Sequence, residues 1–490
     1  MSDTTTGRAT GWEPVIGLEI HVQLSTRTKM FCACELSFGE PPNTRTCPVC
    51  LGHPGTLPTL NAQAVHFGLM IAFALGCEVA PRSIFHRKNY FYPDLPKGYQ
   101  ISQYDIPLAS GGHLDVPGGP SVRIHRAHLE EDAAKLIHQG ESGRIHGAGS
   151  SVVDFNRGGT PLVEIVTEPD VRSASDAREF LQLLRTTLKQ IGVSDVNMEE
   201  GSLRCDANVS VRKPGEEGYR TKAELKNMNS FRFLERGIEA EIARQIATWE
   251  SGGTVVQETI HFDPVTGSLT ALRSKEEVHD YRYFPEPDLV PVAPTEEMTE
   301  RARVALPELP AARLERYRSD YGLADDVAGT LVGWSELGAF FEASVAAGNG
   351  NAGAIARWTT GELVAFLRER GIEDPRESKL SPGALAELVG MVEGRALSRG
   401  AAKELLAELT AEGGDPKAMV EARGLAPIAD TAELEAIVER AIEANAAAVE
   451  QIRGGKVRAS GAIVGAVMKE TKGRADGAQV NRLIREKLGL

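Results

Sequence analysis

The fold is decided by residues 203–212, which read LRCDANVSVR. Apolar and polar residues alternate strictly along this stretch, which predicts a β-strand with one buried and one polar face. The polar face carries Arg204, Asp206 and Asn208. The pattern recurs after a Pro-Gly turn, where it places Lys222, Glu224 and Lys226. Pairing of the two strands would gather carboxylates and cations on one rigid surface, which suits a site that holds phosphates through a metal ion. A solvated, charged sheet face is the plainer alternative.

Further metal-ligand candidates lie on other predicted strands. Residues 16–24 alternate in the same way and put Glu19 and His21 side by side, although a lone histidine on a strand is more often a hydrogen-bonded structural residue. Glu164 stands in the middle of an otherwise apolar strand and needs a partner there. Residues 128–132 add an imidazole and three carboxylates. The spacing leaves open whether Glu130 or Glu131 faces His21.

The cysteines give an independent signal. Four of the six stand in two close pairs: Cys32, Cys34, Cys47 and Cys50. This arrangement suits a structural zinc ion, with idle reduced thiols or an iron–sulfur site as alternatives. A four-thiolate site has no open coordination position for water, so its expected role is structural: it would hold the insertion at residues 31–58 in place.

The stretch 85–105 is dense in aromatic, cationic and amide side chains and contains two prolines. Cations can hold phosphate oxygens and aromatic rings can stack on bases, so the stretch predicts a loop that binds a nucleotide or an RNA end. The alternative is a rigid loop whose tyrosines cover the core.

Composition limits the architecture. A chain of 490 residues with 42% hydrophobic content is too long for one core, so two or three domains are expected. No apolar run is long enough to span a membrane and no signal peptide is recognised, so a cytoplasmic protein with reduced thiols is expected. Strand alternation stops near residue 294, and the rest predicts helices that begin after Thr295, Ser381 and Asp430.

The net charge is −14, yet residues 451–490 hold nine basic and three acidic side chains. This basic tail could meet a phosphate backbone, or it could be a solvated surface. The candidate contacts are Arg453, Lys456, Arg458, Lys469, Lys472 and Arg474.

Missing motifs narrow the function. The chain contains neither a Gly-x-x-x-x-Gly-Lys-Ser/Thr loop nor a Gly-x-Gly-x-x-Gly turn after a strand, so any nucleotide is held in another way. A Gly-x-Ser-x-Gly elbow is also missing, and amide hydrolysis is not evident. Metal-assisted phosphoryl transfer is the class that the carboxylates and cations favour.

Four motifs carry a family resemblance: VIGLEIH at 15–21, RKNYFYPD at 87–94, MEEGSLRCDAN at 198–208 and DYRYFPEPD at 280–288. Together they resemble the B subunits of the bacterial aspartyl/glutamyl-tRNA amidotransferases. The resemblance spans essentially the whole chain. The cysteine set is similar to the zinc knuckle of some members, whereas other members lack it.

The resemblance implies an α+β fold with a β-sheet-rich catalytic cradle, mixed or antiparallel, followed by an all-helical domain and a helical tail domain. The expected bounds are a flexible N-terminus at 1–12, the cradle at 13–294 with a zinc-knuckle insertion at 31–58, a helical domain at 295–409 and a basic tRNA-binding tail at 410–490.

The resemblance also implies a carbon–nitrogen ligase that uses glutamine as amido donor. This protein would use ATP and Mg²⁺ to phosphorylate the side-chain carboxylate of Glu misacylated on tRNA(Gln), or of Asp on tRNA(Asn). Ammonia from glutamine hydrolysis on the amidase (glutaminase) partner, the A subunit, would then form the amide. The small C subunit would complete a heterotrimer.

Site residues follow from the same motifs. The implied metal ligands are Glu19, His21, Glu131 and Glu164. Implied phosphate contacts are Arg204, Lys222 and Asn208, and further catalytic candidates are Lys88, Asp206 and Glu224. Tyr90, Tyr92 and Tyr99 would position the 3′ end of the tRNA. A noncatalytic, zinc-stapled RNA-binding scaffold and a stand-alone metallohydrolase are the competing functional classes.

Overall fold

The computed structural model describes residues 11–139, 148–263, 265–274, 281–348, 351–372, 374–425, 431–453, 459–471, 474–475 and 477–489. The chain divides into two compact units, Met1–Ala312 and Arg313–Leu490.

The first unit is built on a twelve-stranded mixed sheet. The strands of the unit are β1 (Glu13–Gln23), β2 (Glu78–Val79), β3 (Phe85–Asn89), β4 (Tyr99–Gln103), β5 (Ala109–Asp115), β6 (Ser121–Glu131), β7 (Lys135–Gln139), β8 (Ser150–Asp154), β9 (Pro161–Thr167), β10 (Leu203–Arg212), β11 (Ala223–Met228), β12 (Glu258–Phe262), β13 (Leu269–Ser274) and β14 (Phe284–Pro285). The order in the large sheet is β13-β12-β11-β10-β1-β9-β6-β4-β3-β14, with β5 paired to β2 and β6. Strands β7 and β8 form a separate hairpin, and β11 and β12 are parallel.

The centre of the sheet is β1, which lies antiparallel between β9 and β10. Its apolar residues alternate as expected, and Ile16, Leu18 and Ile20 are at most 1% exposed. Glu19 lies opposite Asp206 on β10. Strand β11 pairs with β10, which confirms the pairing predicted across the Pro-Gly turn.

The helices described in the first unit are α1 (Ala62–Ala74), α2 (Ala174–Gln190), α3 (Phe231–Glu250) and α4 (Glu296–Val304). Each has a side-chain cap at its N-terminus, and Thr295 accepts from the backbone amide of Met298 as its sequence position predicted. Leu69 on α1, Phe180 on α2 and Leu234 on α3 share one buried core with the apolar side chains of β1. The opposite, polar side chains of the central strands therefore remain for chemistry.

The second unit is helical in all its described elements. Its helices are α5 (Pro310–Ser319), which begins at the unit boundary, α6 (Asp325–Gly333), α7 (Ser335–Ala347), α8 (Ala352–Trp358), α9 (Val364–Glu369), α10 (Pro382–Glu393), α11 (Arg399–Glu412), α12 (Pro416–Arg423), α13 (Thr431–Ala444), α14 (Ala446–Arg453), α15 (Ser460–Glu470) and α16 (Gly477–Leu488). A π-helical turn, Thr359–Leu363, joins α8 to α9, and a short 3₁₀ turn spans Pro375–Glu377. Two separate buried clusters of described residues form its cores, one from Leu314 to Val420 and one from Leu434 to Ile484.

This order of elements confirms the predicted α+β class, with a sheet-rich part followed by helices. The predicted functional domains at 13–294, 295–409 and 410–490 stay a prediction. Ala302 on α4 packs into the core of the first unit, and Trp12, within the stretch predicted to be flexible, is 4% exposed. Residues 1–10 lie outside the described part of the chain. Within that described part, no helix combines the length and apolarity needed to cross a bilayer.

The short strand β14 is fastened to β3 by a buried ion pair. Arg87 Nε and Nη2 donate to the two carboxylate oxygens of Glu286 at 2.7 and 2.8 Å. The Glu286 side chain is 0% exposed. Glu286→Ala would leave Arg87 with only its longer contact to Asp288, 3.4 Å from Nη2, so it should lower the free energy of unfolding by about 3 kcal/mol in urea denaturation. Glu217→Ala, in an exposed turn, is the control and should change it by less than about 0.5 kcal/mol. Equal, small effects of the two changes would contradict the role given to the pair.

Candidate functional site

Two histidines and two glutamates meet on the polar face of three neighbouring strands. His21 on β1 lies opposite Glu164 on β9, which lies opposite His128 on β6. His21 Nε2 is 3.4 Å from Glu164 Oε2 and 3.6 Å from Glu130 Oε1. His128 Nε2 is 3.6 Å from Glu164 Oε2 and 3.8 Å from Glu130 Oε2. These four residues form the His–Glu cluster.

The cluster has a donor set that fits a divalent cation. One ligand atom each from His21, Glu130 and Glu164 lie within 4.8 Å of one another. An imidazole with two carboxylates suits Mg²⁺ or Mn²⁺, which take oxygen ligands and, for Mn²⁺, imidazole as well. Sequence reasoning identified His21 and Glu164 for such a site, and the structure brings them together.

The acidic and basic groups of the cluster stabilise each other's charged forms, although the site is largely buried. Burial lowers the pKa of His21, but Glu164 and Glu130 outweigh it and raise that pKa to about 9. Burial opposes ionisation of Glu164 and Glu130, yet the neighbouring histidines hold both carboxyl pKa values below their usual range. Lys88 is half-buried, and Glu130 and Glu164 raise its pKa against the effect of desolvation. Carboxylates and cations thus alternate across the site.

The structure places Glu130 rather than Glu131 beside His21, a choice that the spacing had left open. Consecutive strand residues point to opposite faces, and Glu131 is therefore turned away from the cluster. Its Oε1 accepts from the amide of Ile101 at 3.0 Å and from Lys97 Nζ. It lines a cavity of about 220 Å³ together with Lys97 and Tyr99.

A second polar group continues along the same face. Asn208 Nδ2 donates to Glu19 Oε1 at 2.8 Å. Lys226 Nζ lies 3.2 Å from Glu224 Oε1 and 3.7 Å from Asp206 Oδ2. The predicted carboxylates are therefore neighbours of a cation and an amide on one surface.

Lys222 and Lys226, which the sequence pattern predicted to lie on the same face, occupy different environments in the structure. Lys222, assigned to phosphate, is exposed and lies just before β11 begins. Lys226 stands on the polar face instead, and the alternation that placed Lys222 also pointed to it. Arg204 lies opposite His21, and its Nη2 donates to Asp132 Oδ2 at 2.9 Å. The sequence offered Asp132 only as one of the three carboxylates of residues 128–132, and its pairing with Arg204 was not predicted.

The aromatic stretch contributes to two different places. Lys88 Nζ lies 4.9 Å from the centroid of the Tyr281 ring, whose neighbours are Tyr90 and Tyr283. Tyr92 packs beside Tyr90 at 6.4 Å between centroids. Tyr99 instead lies beneath Arg87, 4.4 Å from its guanidinium carbon, and lines the cavity that holds Glu131. Sequence reasoning missed Tyr281 and Tyr283 as neighbours of Lys88, although the motif at 280–288 contains both.

The four predicted cysteines meet. Their Sγ atoms all lie within 4.8 Å of one another, which fits a tetrahedral zinc ion with Zn–S bonds of about 2.3 Å. The pKa of Cys50 is lowered to about 4, mainly by a hydrogen bond from the Cys32 thiol and to a smaller extent by the Lys29 ammonium group. Cys50 can therefore offer a thiolate to a metal ion. Lys29 Nζ is 3.7 Å from Cys50 Sγ.

The basic tail is described in part. Lys469 lies on α15, Arg453 ends α14, and Arg474 Nε donates to the carbonyl of Thr471 at 3.2 Å. Lys456, Arg458 and Lys472 lie outside the described residues. Their predicted contact with tRNA stays a prediction.

Comparison with known proteins gives two family matches. Residues 14–300 match the GatB/GatE catalytic domain, and residues 339–488 match the GatB domain. A Geobacter sulfurreducens protein, named as the B subunit of an aspartyl/glutamyl-tRNA(Asn/Gln) amidotransferase, is 49% identical over 480 residues, 97% of this chain and 99% of that protein. Proteins of the same name from Persephonella marina and Anaeromyxobacter dehalogenans are 48% and 49% identical, over 97% and 98% of this chain and 99% of each relative.

The raised pKa of His21 predicts a pH-dependent stability in metal-free protein. A folded pKa of about 9 against an ordinary 6.5 means that His21 stabilises the fold fully below pH 6.5 and loses this effect as pH rises through 9. His21→Gln should therefore lower the melting temperature at pH 6. The difference in melting temperature between this variant and the parent protein should disappear by about pH 10. The charged groups that act on the imidazole are Glu130 and Glu164, both within 3.6 Å of Nε2, and Arg204 on the neighbouring strand. His138→Gln, on the β7–β8 hairpin, is the control, and a gap independent of pH would contradict the assignment.

The cysteine quartet predicts one zinc ion per chain, measured by elemental analysis after growth with zinc. Cys47→Ser should abolish retention and make residues 31–58 more sensitive to protease, because a structural zinc ion supplies folding energy. Cys77→Ala, a buried cysteine outside the quartet, should keep the zinc. Equal zinc content in the two variants would refute the site.

Proposed function

Because this chain belongs to the GatB family of aspartyl/glutamyl-tRNA(Asn/Gln) amidotransferase subunits, we propose that it is the ATP-dependent kinase component of such an enzyme. Its substrate would be Glu misacylated on tRNA(Gln), Asp misacylated on tRNA(Asn), or both. The product would be the matching amide on the same tRNA. The His–Glu cluster supports this proposal, since its donor atoms could hold a divalent cation and Lys88 and Arg204 are close enough to act on its charges.

The proposed chemistry has two steps. A side-chain carboxylate oxygen attacks the γ-phosphorus of ATP, which forms an acyl phosphate and releases ADP. Ammonia then attacks the acyl carbon, inorganic phosphate leaves, and an amide remains. Activation is needed because an oxygen of a free carboxylate is a poor leaving group, whereas phosphate is a good one. Glutamine and water would yield the ammonia and glutamate on the partner amidase.

The residues of this chain would bind and orient the reacting groups. His21, Glu130 and Glu164 would hold Mg²⁺, which when bound neutralises charge on the phosphoryl group. Lys88, which is half-buried and has a raised pKa, would offer a fixed positive charge to developing anions. Glu19, Asp206 and Glu224 lie along the same face and would extend the cation-binding surface. The phosphate contacts would come from Arg204, Asn208 and Lys226 rather than from the exposed Lys222.

Partner contacts complete the proposal. The amidase A subunit and the small C subunit would assemble with this chain as a heterotrimer. Tyr90 and Tyr92, beside Tyr281 and Lys88, would stack on the 3′ end of the tRNA, whereas Tyr99 is displaced from that group by its strand position. The basic tail would contact the tRNA body, and zinc at the four cysteines would staple residues 31–58.

A noncatalytic RNA-binding scaffold is the competing function. It leaves unexplained why acids and cations are buried together in the His–Glu cluster, since burying charges without a ligand to hold costs free energy. A stand-alone metallohydrolase would need no tRNA and no partner proteins.

The test is ATP turnover by the chain co-expressed with the amidase and the small third protein, with and without Glu-tRNA(Gln). Glu164→Gln and Asp206→Asn should each lower tRNA-dependent ADP formation by about 100-fold, because each weakens cation and phosphate binding in the transition state. Glu217→Gln, an exposed carboxylate outside the site, should leave turnover unchanged. Tight tRNA binding with no ATP turnover would favour the scaffold, and turnover without tRNA would favour the hydrolase.

A further inference from the structure

Asp132 is a buried carboxylate just beyond the end of β6, and its side chain is 4% exposed. Its Oδ2 accepts from Gln23 Nε2 at 2.8 Å and from Arg204 Nη2 at 2.9 Å. Its Oδ1 accepts from the amide of Ala133 at 2.9 Å. Two guanidinium groups lie beside this carboxylate, Arg204 at 2.9 Å and Arg157 at 3.6 Å. A buried, ionised carboxylate needs such partners, and the stronger of its two arginine contacts belongs to the polar face.

The backbone around Asp132 is held on both sides. Its amide donates to the carbonyl of Thr160 at 2.8 Å, and its carbonyl accepts from the amide of Gly159 at 2.8 Å. Arg157 bridges the same turn, with Nε and Nη2 on the carbonyls of Ala133 and Ala134 at 3.0 Å. The carboxylate is therefore a fixed point against which a long side chain can be oriented.

Within the part of the chain that the structure describes, the Arg204 guanidinium has one nitrogen that is hydrogen-bonded and another that is not. Its Nη2 donates to Asp132, while its Nε is buried and has no hydrogen-bond partner among the described residues. The side chain is 33% exposed. A buried guanidinium N–H without an acceptor is uncommon and calls for a ligand or a water molecule. Arg204 also lies directly opposite His21, so an acceptor bound there would sit beside the His–Glu cluster.

The unpaired donor of Arg204 suits an anion. Asp132 faces two guanidinium groups, those of Arg204 at 2.9 Å and Arg157 at 3.6 Å, and the carboxyl of Asp94 interacts with Arg157 as well. Arg157 is therefore compensated by carboxyl groups, whereas Arg204 keeps a buried Nε–H without an acceptor among the described residues. A guanidinium with a donor to spare beside a candidate cation site matches the oxygens of a phosphate group.

We propose that Asp132 is a positioning residue that holds the Arg204 guanidinium toward the phosphate groups of a nucleotide bound beside the His–Glu cluster. This inference rests on the proposed ATP-dependent function. Gln23 supports the same carboxylate oxygen, so the orienting unit spans the ends of β1, β6 and β10. The competing interpretation is a buried ion pair that only stabilises the fold.

A double-mutant cycle separates the two interpretations. The dissociation constant of MgATP is measured by equilibrium dialysis for the three-protein complex carrying Asp132→Asn, Arg204→Met, or both. Asp132→Asn should raise the constant about 10-fold, since it weakens a charge-assisted hydrogen bond that orients the ligand-binding group. Arg204→Met should raise it by at least as much. In the Arg204→Met background, Asp132→Asn should add no further loss, because a positioning residue has no effect once the group it positions is gone.

Asp170→Asn is the matched control. Asp170 forms a similar pair with Arg123 at 2.8 Å, but this pair lies outside the cluster and its arginine is 64% exposed. It should leave MgATP binding unchanged, and melting temperatures of all variants report any general loss of stability. Asp132→Glu, which keeps the charge and shifts the carboxylate by one methylene, should also raise the constant and carries the test if the Asn variant does not fold.

Three outcomes are distinct. Parent-like MgATP binding by Asp132→Asn, or by Asp132→Glu where only that variant folds, would overturn the inference while the proposed function stands. An equal loss from Asp132→Asn in the presence and absence of Arg204 would also overturn it, because the two residues would then act independently. A parent complex that binds no MgATP would overturn the proposed function and this inference with it.

Discussion

The register of β1 between β9 and β10 is the constraint on which the rest of the first unit depends. Side chains alternate between the faces of a strand, so a shift by one residue would move Ile16, Leu18 and Ile20 out of the core. The same shift would carry Glu19 and His21 away from the polar face. Burial of the apolar set thus fixes the register, and the register fixes which acids and bases meet.

The polar face is stable because its charges are paired before any ligand binds. Glu130 and Glu164 are buried, and each would be costly as an isolated carboxylate. His21 and Lys88 supply opposing charges, and His128 Nε2 lies 3.6 Å from Glu164 Oε2. This pairing also holds the imidazole and the two carboxylates close enough together for a cation. A bound cation would take over part of the charge neutralisation that His21 now provides, and His21 would lose its proton.

The sequence predicted what depends on local periodicity and spacing. It identified the strands that carry Glu19, Glu164 and Asp206, and it grouped the four cysteines, because alternation and close pairs are visible without knowledge of the fold. It could not decide between Glu130 and Glu131. Residues 127–131 are buried on both faces of β6, so no exposed position marks the parity of that strand.

Local periodicity did not predict the position of residues that lie at a turn or at a strand end. Lys222 precedes the first residue of β11. The alternation of buried and polar side chains that was predicted to include Lys222 therefore begins in the structure only with Glu224 as its first polar residue. Tyr90 and Tyr99 belong to one stretch of sequence, but Tyr99 lies on β4 across the hairpin and faces the cavity instead. Asp132 is the extreme case, because its partners Gln23 and Arg204 are 109 and 72 residues away along the chain. No local pattern specifies such a contact. It exists only after β1, β6 and β10 have assembled, so the orientation of Arg204 is a property of the completed sheet and of none of the motifs that compose it.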